Sequence, residues 1–158
     1  LRKRGSDRCT PAVSGGDAIF VTDAPATVAL DVRTGKERWR APFGGAASPA
    51  VLNGVVYLAT DAGGLQALSQ RDGSPEWATP IGGEAHGSPS VAGGMVYAPG
   101  GRSLTAVDAV SGMAAWSFPA GGEVSGSPAV TGGLALFSSR DGYLYALGSA
   151  ADAPADGP

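Results

Sequence analysis

Apolar residues come in short runs along this chain, and the runs lack a helical period. Gly or Pro interrupts every few residues, so no window sustains apolar positions at i, i+3, i+4 and i+7. β-prone runs separated by turn residues at about ten-residue spacing indicate an all-β fold. Residues 48–78 read as four strands. The first starts at Ser48-Pro49-Ala50-Val51-Leu52 and turns at Asn53-Gly54, where both residues tolerate positive φ. The second is Val55–Ala59 and the third Leu65–Leu68. The fourth runs around Pro75–Ala78, after the turn Arg71-Asp72-Gly73-Ser74. The second strand is apolar throughout and does not alternate, so both faces of its sheet should be covered.

The same plan recurs. Thr10-Pro11-Ala12-Val13, Ser48-Pro49-Ala50-Val51, Ser88-Pro89-Ser90-Val91 and Ser127-Pro128-Ala129-Val130 follow one another in steps of 38, 40 and 39 residues. Trp39, Trp77 and Trp116 repeat in phase, in steps of 38 and 39. A fixed period of this size marks repeated supersecondary units that bury their apolar faces against each other. Small antiparallel four-stranded sheets covered on both sides by copies of themselves are the blades of a β-propeller. The units are expected at 10–40, 48–80, 88–119 and 127–147, with residues 1–9 a basic linker and 148–158 an Ala/Pro tail. The last unit has Leu134–Phe137 and Tyr143–Leu147, but no tryptophan strand follows.

Ala29-Leu30-Asp31-Val32-Arg33-Thr34-Gly35-Lys36-Glu37-Arg38-Trp39 resembles the tryptophan-docking motif of quinoprotein-type (PQQ-like) propellers: Ala, one residue, Asp, three residues, Gly, three residues, Trp. The spacing has a physical reading. Ala leaves room for an indole from the adjacent blade, Gly lets its peptide plane lie against the ring, and Asp ties down the turn. A buried indole also needs a partner for its N–H, typically a backbone carbonyl. Ala106 to Trp116 keeps every position, with Asp108 and Gly112. Ala67 to Trp77 keeps Gly73 but has Ser69 in place of Asp, so a weaker turn is expected there. Ala146 opens a fourth copy without Asp or Trp. The resemblance spans residues 10–147 and implies PQQ-like blades. Such blades usually assemble in rings of seven or eight, so four units read as a partial, half propeller.

Charge and composition narrow the partners. Net charge is −3 over 158 residues, which does not suggest a nucleic-acid partner. Arg2, Lys3, Arg4 and Arg8 form the one basic cluster and read as a solvated tail or linker. Cys9 is the only cysteine, so an internal disulfide and a thiolate metal site are both excluded. No apolar run has the length of a membrane-spanning helix. The start at Leu1, without a signal-peptide pattern, suggests a piece cut from a longer protein.

The resemblance makes a pyrroloquinoline-quinone-dependent dehydrogenase fragment, with calcium, the alternative function. Quinoprotein dehydrogenases commonly set adjacent cysteines over the quinone and gather Glu, Asn and Asp for calcium. This chain has one cysteine, and its only asparagine, Asn53, belongs to a hairpin turn. Other relatives of the repeat are cofactor-free envelope scaffolds or bacterial sensor domains. The reading is therefore a non-catalytic binding or scaffold module, extracytoplasmic and bacterial. Its role would be protein–protein interaction or ligand sensing, and its partners a protein or further blades from the same parent chain or a second copy.

Candidate chemistry lies in two matching loops, Gly82-Gly83-Glu84-Ala85-His86-Gly87 and Gly121-Gly122-Glu123-Val124-Ser125-Gly126. If the Ser-Pro strands line the channel, these loops stand at its mouth. Glu84, His86 and Glu123 would then be positioned to meet a cation or polar ligand. The alternative is solvated loop residues. Ser48, Ser88 and Ser127 share one structural position and cannot all be activated by the single His86, so they read as strand starts. Gly93-Gly94, Gly100-Gly101 and Gly132-Gly133 lie between strands without a following helix and read as turns. Tyr57, Tyr97 and Tyr145 read as blade packing.

Overall fold

Three glycine- or asparagine-bearing pairs close two-residue hairpins at the same place in successive repeats. Asn53-Gly54 (φ 50° and 83°), Gly93-Gly94 (58° and 78°) and Gly132-Gly133 (55° and 78°) adopt the left-handed conformations that such tight turns require. These turns set the register of the strands they join, and the strands build four antiparallel sheets in chain order. The computed structural model describes residues 11–14, 18–23, 26–45 and 47–148. Thr10, the basic cluster, Cys9 and residues 149–158 lie outside the described residues.

The first sheet holds β1 (Ala12–Ser14), β2 (Ala18–Asp23), β3 (Ala26–Asp31) and β4 (Glu37–Ala41). The second holds β5 (Ala50–Leu52), β6 (Val55–Ala59), β7 (Gly64–Ser69) and β8 (Pro75–Pro80). The third holds β9 (Ser90–Ala92), β10 (Met95–Gly100), β11 (Ser103–Asp108) and β12 (Ala114–Pro119). The fourth holds β13 (Val124–Thr131), β14 (Leu134–Ser139) and β15 (Leu144–Gly148). Each sheet is a simple meander. The first strands touch in succession, β1 with β5, β5 with β9 and β9 with β13, so they form the inner edge around which the blades are set. One detail differs from the sequence reading. Ser48-Pro49 and Ser88-Pro89 precede their strands, whereas Ser127-Pro128 lies inside the longer β13. Tyr145 sits on the third strand of its blade, opposite Phe137, not at the second-strand position that Tyr57 and Tyr97 share.

Apolar surface is buried between blades. Blades 1 and 2 enclose Ala29, Trp39, Ala41, Val56, Leu58 and Leu68. Between blades 2 and 3 the core includes Tyr57, Leu65, Ala67, Val96, Ala98 and Val107. Between blades 3 and 4 it includes Leu104, Val124, Ala135 and Phe137, with Phe118 and Tyr145 packed edge-on. β7 and β11 are buried on both faces along their middles, because each has a blade on either side. β15 instead alternates between half-buried and exposed positions, as a strand covered on one face does.

Candidate functional site

The Ser-Pro words tie the inner edge together. The Ser48 N–H donates to Ser88 Oγ at 2.9 Å, and the Ser88 N–H donates to Ser127 Oγ at 3.0 Å. The Ser90 hydroxyl adds a bond to the Pro128 carbonyl. Blades 2 and 3 therefore each offer a main-chain donor to a hydroxyl of the next blade. These contacts are directional, and they occupy lone pairs of the serines. Among the described residues no hydrogen bond joins His86 to Ser88 or Ser127, so no nucleophile–base pair is assembled there.

Beside this ladder lies an open cavity of about 370 Å³, lined by Glu84, His86, Ser88, Gly126, Ser127 and Arg140 among others. It brings together a carboxylate, an imidazole, a guanidinium and two hydroxyls. Glu84 and His86 share this cavity, but Glu123 does not line it. The Glu123 carboxylate meets the Arg140 guanidinium at 2.9 Å. No group of three His, Cys, Asp or Glu residues suited to a metal ion forms among the described residues. Glu84 and His86 thus share the cavity with Arg140, while Glu123 is paired with Arg140 from outside its lining. Sequence reasoning missed Arg140, because its place at the cavity depends on the β14–β15 turn folding back toward the inner edge. The two matching loops also share a backbone role. The Glu84 carbonyl accepts the Gly101 N–H, and the Glu123 carbonyl accepts the Arg140 N–H, both at 2.8 Å.

The repeated motif residues meet as follows. Ala29, Ala67 and Ala106 stand opposite the tryptophans of their own blades, Trp39, Trp77 and Trp116, and a register shift follows each pair. The neighbouring-blade residue that meets the indole is the motif glycine. A β-carbon on Gly73 would come within 2.5 Å of Trp39 Cε3, and one on Gly112 within 2.6 Å of Trp77 Cδ2. The Trp39 indole N–H donates to the Gln70 carbonyl at 2.9 Å, and that of Trp77 to the Ala109 carbonyl at 3.3 Å. Trp116 packs on Tyr97 and is 38% exposed; among the described residues no carbonyl accepts its N–H.

Turn carboxylates hold the motif in shape. Asp31 Oδ1 accepts the N–H groups of Arg33 and Thr34 and the Thr34 hydroxyl, while Oδ2 takes Arg38 at 3.0 Å. The Thr34 N–H, followed by the Arg38 guanidinium, holds Asp31 well below the ordinary carboxylate range. Asp108 repeats the arrangement with Val110 and Ser111, and the Ser111 N–H leads in lowering its pKa. Gly35, like Gly73 and Gly112, lies at positive φ. The turn at Ser69 is not weaker in its main chain. Gly73 N–H donates to the Ser69 carbonyl at 2.9 Å, matching Gly35 to Asp31 at 2.7 Å and Gly112 to Asp108 at 2.9 Å. Asp72 supplies the missing carboxylate from inside the turn, accepting the N–H and hydroxyl of Ser74.

The family model described as outer membrane protein assembly factor BamB matches residues 2–84 and again 79–153. The chain belongs to this family. Comparison with curated proteins gives no match. The structure resembles BamB from Moraxella catarrhalis with a TM-score of 0.79 at 18% identity, covering 89% of this chain and 49% of that one. It thus spans about half the length of that BamB. The computationally designed Ika4 protein is matched at a TM-score of 0.79 and 11% identity over 93% of both chains. The quinohemoprotein alcohol dehydrogenase ADHIIG from Pseudomonas putida HK5 is matched at 0.60 and 26% identity, covering 71% of this chain and 20% of that one. These likenesses establish a PQQ-like propeller fold.

Proposed function

We propose that this chain is a non-catalytic, extracytoplasmic module that binds partner proteins through the loops at the mouth of its channel. The carrying observation is the cavity at the inner edge, where Glu84, His86, Arg140 and the serine hydroxyls present donors and acceptors of both charge signs. Such a mixed polar surface suits the main chain and polar side chains of an extended protein segment, held by loops on a rigid scaffold. Ligand sensing through the same mouth is a finer version of this reading. The envelope location is drawn from the family, whose description names outer membrane protein assembly.

A cofactor-free reading is supported by the fit of the residues to quinone and calcium, which is poor. Asn53 is spent in the β5–β6 hairpin at φ 50°, and the described acidic residues form no metal-holding group. Panels of unstructured peptides from envelope proteins test the proposal by binding to the chain and to a variant with Glu84→Ala, His86→Ala and Arg140→Ala. Peptides that bind the chain should lose at least about tenfold in affinity on the triple variant. Peptides unaffected by the triple change overturn the mouth as the binding surface. Titration with pyrroloquinoline quinone and calcium should leave tryptophan fluorescence unchanged, and saturable quenching would revive the enzyme reading.

A further inference from the structure

The fourth blade carries an apolar face that no other blade covers among the described residues. Leu65, Leu104 and Leu144 occupy one repeat position, opposite Ala59, Pro99 and Ser138 in the register of their sheets. Leu65 and Leu104 are 0% exposed, packed toward blades 3 and 4 respectively; Leu144 is 72% exposed. Ala67 and Ala106 are likewise fully buried, whereas their counterpart Ala146 is exposed. The other face of blade 4, with Ala135, Phe137, Tyr145 and Leu147, is already packed on blade 3. β15 is also the last strand of its sheet among the described residues. An apolar face next to an open strand edge is a docking surface.

We infer that this face takes blade 1 of a second copy of the chain, so that two chains close head to tail into one ring of eight sheets. Three observations select that occupant. First, the positions that meet a preceding blade are Val56, Leu58 and Leu68 in blade 2 and Val96, Ala98 and Val107 in blade 3. The corresponding residues of blade 1 are Ile19, Val21 and Leu30, apolar in the same pattern, with Ile19 paired to Leu30 in register. Second, the inner-edge contacts run one way, from the Ser48 and Ser88 N–H groups to the next blade's hydroxyl, so the interface is heterologous and propagates until a ring closes. Third, four sheets cover 49% of a BamB chain, so two copies supply the length of one whole BamB. The two new interfaces are identical by a two-fold axis. The surface is separate from the channel-mouth cavity.

Sedimentation equilibrium of the 158-residue chain tests this, with Leu144→Asp and Ala146→Arg as two independent variants. Val110→Asp, at an 86% exposed position on a different turn, is the control. The chain and the control should sediment at twice the chain mass. Each face variant should raise the dimer dissociation constant by at least about tenfold while keeping the far-ultraviolet β signal. A chain that stays monomeric at high micromolar concentration overturns the inference and leaves the face to further blades of a longer parent. Open-ended polymers, or a dimer that survives both variants, overturn it as well.

Discussion

The indole of Trp39 lies against Gly73 of the next blade so closely that a β-carbon there would stand 2.5 Å from Cε3. Gly73 is also at φ 74°, so two requirements for glycine coincide at one residue. Gly54 separates them: its φ is 83°, but nothing lies within 4 Å of an added β-carbon. Gly54→Ala should cost about 1–2 kcal/mol from its backbone alone. Gly73→Ala should cost about 1–3 kcal/mol more, from displacing the ring. Urea unfolding of both variants measures the difference, and equal losses would remove the docking contact from the account.

The three tryptophans should not be equivalent. Trp39 is 9% exposed and hydrogen-bonded, so Trp39→Ala should cost about 3–5 kcal/mol. Trp77→Ala should follow at about 2–4 kcal/mol, with its longer bond to Ala109. Trp116→Ala, lacking a described carbonyl partner and 38% exposed, should cost no more than about 1.5 kcal/mol in the monomer. Thermal and urea unfolding of the three variants sets the order.

Acid should loosen the motif turns. Asp31 and Asp108 both have folded-state values below the ordinary 3.8, because turn N–H groups stabilise their charged forms. The unfolded chain then takes up protons first as pH falls. Stability from these groups is complete above the unfolded value and is lost as pH drops through it toward the folded values. Asp31→Asn should destabilise at neutral pH and flatten the fall in urea midpoint below about pH 4. A slope identical to that of the parent chain would show that Asp31 is not coupled to folding.

The serine ladder should be visible one amide at a time. Ser88→Ala removes the acceptor of the Ser48 N–H and should cost about 1 kcal/mol. Hydrogen exchange at the Ser48 amide should speed up more than exchange within β6 and β7. Unchanged exchange at Ser48 would show that the bond is not held in solution.

The blade plan was readable because each repeat spells its own turns and strands. The asparagine–glycine and glycine–glycine hairpins, the apolar second strands and the spacing of Ala29, Gly35 and Trp39 are local or periodic signals. The candidate site was only half readable. Glu84 and His86 sit in one loop, so their nearness is covalent; the pairing of Glu123 with Arg140 involves residues from different loops. The same holds at Ser69. A pattern that demands Asp at one position does not reveal that Asp72, three residues on, can reach the same turn.

By itself, the sequence determined the all-β repeat and the family, since these follow from periodicity, turn chemistry and spacing. Tertiary structure alone decided that Glu123 pairs with Arg140, how serine hydroxyls link one blade to the next, and which apolar positions stay uncovered among the described residues. Leu65, Leu104 and Leu144 are one residue type at one repeat position. Only the presence or absence of a neighbouring blade makes two of them core and the third surface.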